Sequence, residues 1–252
     1  MPQLDLVIRG GEVVGAGGSE RADVGIAGGV VAQVGGEIPE GAREIDAAGL
    51  LLLPGAVDAH VHLSSPPGDT RPGPRWVADF ASGSRAALAG GVTTVGNMTF
   101  LGQGETPLAG LAREAESVRA QAIADVICHP VIDDVSPAVL DEIPRLLDAG
   151  CGTIKCFMSA PGFDAQAAAY VEAIRRAGES GLLTMVHCED QALLRDAVAR
   201  LVAAGRTSLR HYAESRPPVA EVVATQRAVA IAEATGAPVY VVHLSCARAL
   251  EV

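Results

Sequence analysis

The feature that most constrains this 252-residue chain is an alternation that begins near Leu50. Short apolar runs, each long enough for one buried strand, take turns with Ala-rich amphipathic stretches. The strand-like runs are Leu51–Val57, Thr93–Met98, Asp125–Ile132, Thr153–Met158, Leu183–Cys188 and Val239–Leu244. The helix-like stretches include Arg75–Ala89, Pro107–Ala122, Pro137–Ala149, Ala165–Glu179 and Val219–Thr235. Several of these end in glycine just before the next strand (Gly90-Gly91, Gly150, Gly181, Gly236), where a left-handed helix terminus costs least. Repeated β-then-α units with fully apolar strands predict parallel strands joined by right-handed crossovers.

Six such strands can be counted, against the eight that close a (β/α)8 barrel. Ala247–Val252 reads as the first turn of a further helix. The expectation is a piece of a longer protein, with the barrel incomplete and inactive should the molecule end there. The first fifty residues differ. Leu4–Arg9, Glu12–Val14, Asp23–Ala27 and Val30–Val34, separated by glycine pairs and followed by Arg43–Asp46, predict a small antiparallel β module. The division expected is therefore 1–50 for the β module and 51–252 for the barrel.

Composition excludes several classes. A formal net charge of −11 repels phosphate backbones and anionic bilayers, so neither nucleic acid nor membrane is an expected partner. No apolar run reaches the length of a membrane span and no leader pattern opens the chain. Five scattered cysteines without C-x-x-C spacing predict neither a disulfide framework nor a cysteine zinc site, and a reduced cytoplasmic setting is expected. No G-x-G-x-x-G or P-loop is present, which sets aside a nucleotide-binding α/β protein.

The residues that carry chemistry fall at strand ends. In Pro54-Gly55-Ala56-Val57-Asp58-Ala59-His60-Val61-His62, the two histidines are two apart on an extended strand and share a face, so both can grip one divalent cation. His187 ends the fifth strand and His243 the sixth, the end of a barrel from which active-site residues come. Lys155 stands inside the apolar fourth strand, where burial is expensive unless the amine is put to use. Desolvation lowers its pKa and leaves a nucleophile able to take up carbon dioxide. His129 reads as a core or supporting residue and His211 as part of a polar segment, so neither is assigned to metal. Arg206–Pro218 reads as a loop packing near the site.

The stretches P-G-A-V-D-A-H-V-H-L, G-T-I-K-C-F-M, T-M-V-H-C-E-D, S-R-P-P and Y-V-V-H-L-S resemble the cyclic amidohydrolases of the amidohydrolase superfamily. Dihydropyrimidinase and hydantoinase are the most similar in pattern, with allantoinase next, and the resemblance runs in order along the whole chain. It implies a TIM-type metal-dependent hydrolase barrel with a small β-sandwich, usually as a homotetramer. It further implies two divalent metals, zinc in most members, held by residues matching His60, His62, His187, His243 and a carbamate on Lys155 formed with carbon dioxide and bridging the metals. The reaction implied is opening of a cyclic amide by a hydroxide shared between those metals. The proton-shuttling aspartate of the family lies on an eighth strand and has no counterpart among these residues.

Some positions depart from the pattern. Ala160 stands where dihydropyrimidinases and hydantoinases carry a tyrosine that steadies the substrate carbonyl. Ser64 and Phe100 stand where dihydroorotases carry an arginine and an asparagine, which disfavours that activity. Leu63–Pro74 is a long loop. The alternatives to a dihydropyrimidine or hydantoin hydrolase are an allantoinase-like ureide hydrolase and a non-catalytic assembly protein of the kind some dihydropyrimidinase relatives have become.

Overall fold

The computed structural model describes residues 3–68 and 76–252. The chain divides into two compact units, Met1–Ala56 and Val57–Val252.

The smaller unit is built from β1 (Leu6–Gly15), β2 (Gly18–Ala27), β3 (Val30–Val34), β4 (Glu44–Asp46) and β5 (Leu51–Leu52). Its order is β3-β2-β1-β4, with β5 also on β1. The β1–β2 and β2–β3 pairs are antiparallel, but β4 and β5 run parallel to β1. The sheet is thus mixed rather than antiparallel throughout. Residues 35–43 carry the chain across the sheet instead of making a hairpin, so β4 reaches the far side of β1 with the same heading. Gly10-Gly11, expected as a turn, lies inside β1 at a bulge between Ile8 and Gly11, where Gly10 takes φ +68°. Leu4, Val7 and Ile38 form the core of this unit.

The larger unit is a run of strand and helix. In chain order it comprises β6 (Ala56–Val61), α1 (Phe80–Ala89), β7 (Val92–Phe100), α2 (Pro107–Gln121), β8 (Asp125–Val131), α3 (Pro137–Glu142), β9 (Thr153–Phe157), α4 (Ala167–Glu179), β10 (Leu183–His187), α5 (Gln191–Ala203), α6 (Pro218–Thr235), β11 (Val239–Val241) and α7 (Ala247–Leu250). The strands lie in chain order, β6 through β11, and the pairings from β7 to β11 are parallel. An order that never reverses is that of a barrel wall; a doubly wound sheet turns back at a switch point.

Alternation along the strands separates two cores. Ile154, Cys156 and Val186 face the helices and pack with Tyr170, Ala173, Ala177, Ala224 and Ala228. Met98, Val131 and Met185 belong to a second cluster with Val242, Phe100 and Phe157. The glycines expected to end helices do so in the left-handed region, Gly91, Gly150, Gly181 and Gly236 all lying between φ +69° and +81°.

Several expected boundaries move. Leu51–Leu52 pairs with β1, and the first barrel strand is Ala56–Val61, not Leu51–Val57; Pro54-Gly55 interrupts the ladder between them. Helix α1 starts at Phe80, where Asp79 caps it through a reciprocal bond with Ser82. Arg75 and the later part of the Leu63–Pro74 loop lie outside the described residues. Pro144 sits in a 3-10 turn, Ile143–Arg145, that cuts α3 short. Helix α5 was not anticipated. Leu209–Ser215, within a segment read as loop, is 3-10 helix. Among the described residues no helix is long and apolar enough to cross a membrane.

Candidate metal centre

Four histidines and one lysine, spread over 184 positions of sequence from His60 to His243, converge at the carboxyl ends of β6, β9, β10 and β11. His60 lies in β6 and His62 just past it, their ring centroids 5.3 Å apart. The His60 ring stacks on His243 at 5.2 Å, and His243 meets His187 edge-on at 4.7 Å. Lys155 Nζ lies 3.5 Å from His60 Nε2 and 4.7 Å from the centre of the Phe157 ring. His187 ends β10 as expected, but β11 stops at Val241, so His243 is carried by a turn. There it adopts φ +37°, the one positive φ outside glycine among the described residues. Backbone held in this region is strained, and strain of this kind gathers at functional sites.

Five nitrogen bases crowd together with no carboxylate between them among the described residues, and the titration of four of them reflects it. Burial, followed by the nearby Lys155 charge, pushes His60 down to about 3. Burial first, and then neighbouring cationic groups, also lowers His62 and His243. Lys155 is fully enclosed, and loss of solvent pulls its ammonium down to about 8. His60, His62 and His243 are therefore biased toward neutral imidazoles and Lys155 toward a partly neutral amine, the forms that donate lone pairs. His62 Nδ1 is buried with no hydrogen-bond partner among the described residues, an atom that a cation could satisfy.

Two side chains missed in the sequence orient this set. His187 Nε2 meets Glu189 Oε2 at 2.7 Å, and Arg216 Nη1 donates to the same oxygen at 2.9 Å. The bond with His187 is the main reason the Glu189 carboxyl is held below its ordinary range. With Nε2 so engaged, Nδ1 is the free coordinating atom of His187, and it lies 3.0 Å from His243 Nε2. As the side chains stand, these two nitrogens pair with each other, and no three His, Cys, Asp or Glu among the described residues already surround a common point. The signal for Glu189 was in the H-C-E-D stretch, a carboxylate two residues beyond a ligand-type histidine. Arg216, in S-R-P-P, lies in the segment expected to pack near the site, and does.

The surroundings are aromatic. Trp76 lies 5.1 Å and Phe100 5.8 Å from the His62 ring, and Phe157 lies 5.2 Å from His187. A cavity of about 400 Å³ opens beside His187, Glu189, Tyr212, Arg216 and His243. Ala160 lies in the turn after β9, partly buried against the helix-side core. Ser64 bonds Glu114. His211 pairs with Glu214 and Arg206, not with the four clustered histidines. His129 is buried in β8.

The amidohydrolase family profile matches residues 51–248. An allantoinase from Rubrobacter xylanophilus is 40% identical over 98% of this chain and 54% of its own length. A D-hydantoinase from Ralstonia pickettii is 35% identical with the same coverage. Among solved structures, one of D-hydantoinase superposes with a TM-score of 0.91 at 32% identity, over 98% of this chain and 54% of that one. The dihydropyrimidinase from Brevibacillus agri NCHU1002 gives 0.89 at 34% identity, over 97% and 53%. The chain spans about half the length of the curated relatives it matches.

Proposed function

Because the chain belongs to the amidohydrolase family, we propose that it forms the metal-binding part of a hydrolase that opens a small cyclic amide. The carrying observation is the convergence of His60, His62, Lys155, His187 and His243, among the described residues with no carboxylate between them and with His62 Nδ1 unpaired. Such a donor set suits two divalent cations, and nitrogen ligands favour zinc. His60 and His62 would hold one, His187 Nδ1 and His243 Nε2 the other, with Lys155 between. The lowered Lys155 amine supports carbamate formation: its nitrogen bonds to the carbon of carbon dioxide and a proton leaves to solvent. The product has the anionic oxygens that the histidine cluster lacks.

Divalent cations held there supply Lewis acidity, lowering the pKa of water and polarising a carbonyl oxygen. The chain's own residues do the rest. Glu189 and Arg216 fix the tautomer and tilt of His187. Trp76, Phe100 and Phe157 wall the centre with apolar surface, which strengthens every charge interaction inside it. Ala160 leaves open the place of a carbonyl-steadying tyrosine, so a different group must serve there.

The substrate class is a cyclic ureide, with hydantoin and dihydropyrimidine rings as the first reading. The 40% identity to an allantoinase favours a second, allantoin, which contains the same five-membered ring. We further propose the N-terminal β module, which extends to Leu51–Leu52, as part of a β-sandwich, the strand–helix run from Ala56 as six barrel strands, a cytoplasmic setting and a homotetrameric assembly. Zinc analysis with turnover of hydantoin, dihydrouracil and allantoin tests the reading. Close to two zinc per protein, lost in the His60→Ala and His187→Ala variants together with ring opening, is expected. Turnover retained in both variants would overturn it.

A further inference from the structure

His129 lies in the interior of β8, only 4% exposed, and has no place among the proposed ligands. Its Nδ1 stands 2.5 Å from Thr153 Oγ1 on β9. Its Nε2 is buried without a regular hydrogen-bond partner among the described residues. That nitrogen faces the Ala59 carbonyl on β6, although β7 lies between the two strands.

The reason it can do so is Gly96. This β7 residue has no left-handed backbone to explain a glycine. A Cβ at Gly96 would stand 2.5 Å from His129 Nε2 and 2.5 Å from Ala59 O, closer than real contacts allow. The missing side chain is thus a slot, and the imidazole passes over β7 through it. With the proton on Nε2, the ring donates toward the Ala59 carbonyl, while the Thr153 hydroxyl donates to Nδ1. One side chain then reaches from β9 to β6 across two intervening strands, one of them its own.

The two ends of that reach are informative. Ala59 immediately precedes His60, and Thr153 precedes Lys155 by two on the same face of β9. The Val131–Lys155 pairing fixes the register in which His129 and Thr153 are likewise two positions earlier. Backbone ladders fix only adjacent strands, so the distance between β6 and β9 depends on how the sheet curves. Lys155 Nζ and His60 Nε2 are nonetheless 3.5 Å apart.

We propose that His129 is a positioning residue that sets the spacing of His60 and Lys155 by tying the Ala59 carbonyl to Thr153, with Gly96 as the slot that admits it. This rests on reading His60 and Lys155 as metal ligands. Gln places an amide nitrogen where Nε2 stands but offers nothing to Thr153, while Asn reaches Thr153 but not the Ala59 carbonyl, so each variant cuts the tie at one end.

The purified protein is loaded with cobalt(II) as probe, and the visible spectrum, cobalt affinity and melting temperature are measured together. The variants are His129→Gln, His129→Asn, Gly96→Ala and His60→Ala. Expected are a shifted spectrum and roughly 10–100-fold weaker cobalt binding in His129→Asn, His129→Gln and Gly96→Ala. If His129→Asn and His129→Gln both keep the parent spectrum and affinity while only melting falls, His129 is packing and the proposal fails. If His60→Ala also binds cobalt as the parent does, the ligand reading itself has failed. Should Gly96→Ala not fold, the two His129 variants still decide.

Discussion

The Asn97 side chain on β7 donates to Glu114 of α2 at 2.9 Å, in a place where both residues are closed off from solvent. Asn97 Oδ1 accepts from the Leu63 backbone at 2.7 Å, and Glu114 also takes the Ser64 hydroxyl and, at 2.9 Å, Arg113. The chain leaving His62 is thereby braced against a helix. Three donors of this network share Glu114 as acceptor, so its removal weakens the brace at once, although Asn97 keeps Ser64 and Arg113 keeps Glu105.

Glu114→Leu is therefore expected to destabilise the protein by about 1–3 kcal/mol, since the buried Asn97 and Ser64 lose their charged acceptor. Glu114→Gln, which keeps an acceptor oxygen, should lose less. Denaturant midpoints decide between them, and equal midpoints for parent and Glu114→Leu would contradict the network's role.

Glu189 bears on metal rather than on stability. Glu189→Ala frees His187 to rotate and should weaken metal binding by roughly 10–100-fold. Competition with a chelator measures this. Binding within twofold of the parent would mean that packing alone orients His187.

Acid should weaken the metal-stripped protein. His60, His62, His129 and His243 are all held below the ordinary histidine value in the fold, chiefly by burial. Between that value, about 6.5, and the folded one, the unfolded chain binds more protons, so stability rises with pH there. Unfolding midpoints are expected to fall steadily as the pH drops from about 6.5 toward 3, where His60 itself protonates in the fold. A flat profile from pH 7 to 5 would show that the histidines carry no such penalty.

Gly178 offers a test of packing against propensity. It lies in α4, where alanine would ordinarily stabilise a helix by about 1 kcal/mol. A Cβ there would meet Ala237 Cα at 2.7 Å, a backbone atom that cannot swing aside. Gly178→Ala should instead lower stability, by about 1–3 kcal/mol. A raised melting temperature would refute the close approach.

Much was legible in the chain because the physics involved is local. Strand and helix periods, glycine at helix ends and histidines two apart at a strand end depend on a few neighbouring residues. From them follow the parallel strand order and the five residues that converge. The boundary of the first barrel strand was not legible, because Leu51–Leu52 is as strand-like as Ala56–Val61 and only pairing with β1 separates them. Nor was the left-handed turn at His243, the bond that selects His187 Nδ1, or the reason Gly96 is glycine. The sequence by itself determined which residue types stand at the strand ends, since that order is written along one strand at a time. Only the tertiary structure decided which atoms of those residues face one another, because spacing between non-adjacent strands depends on sheet curvature and on side chains, such as His129, that cross it.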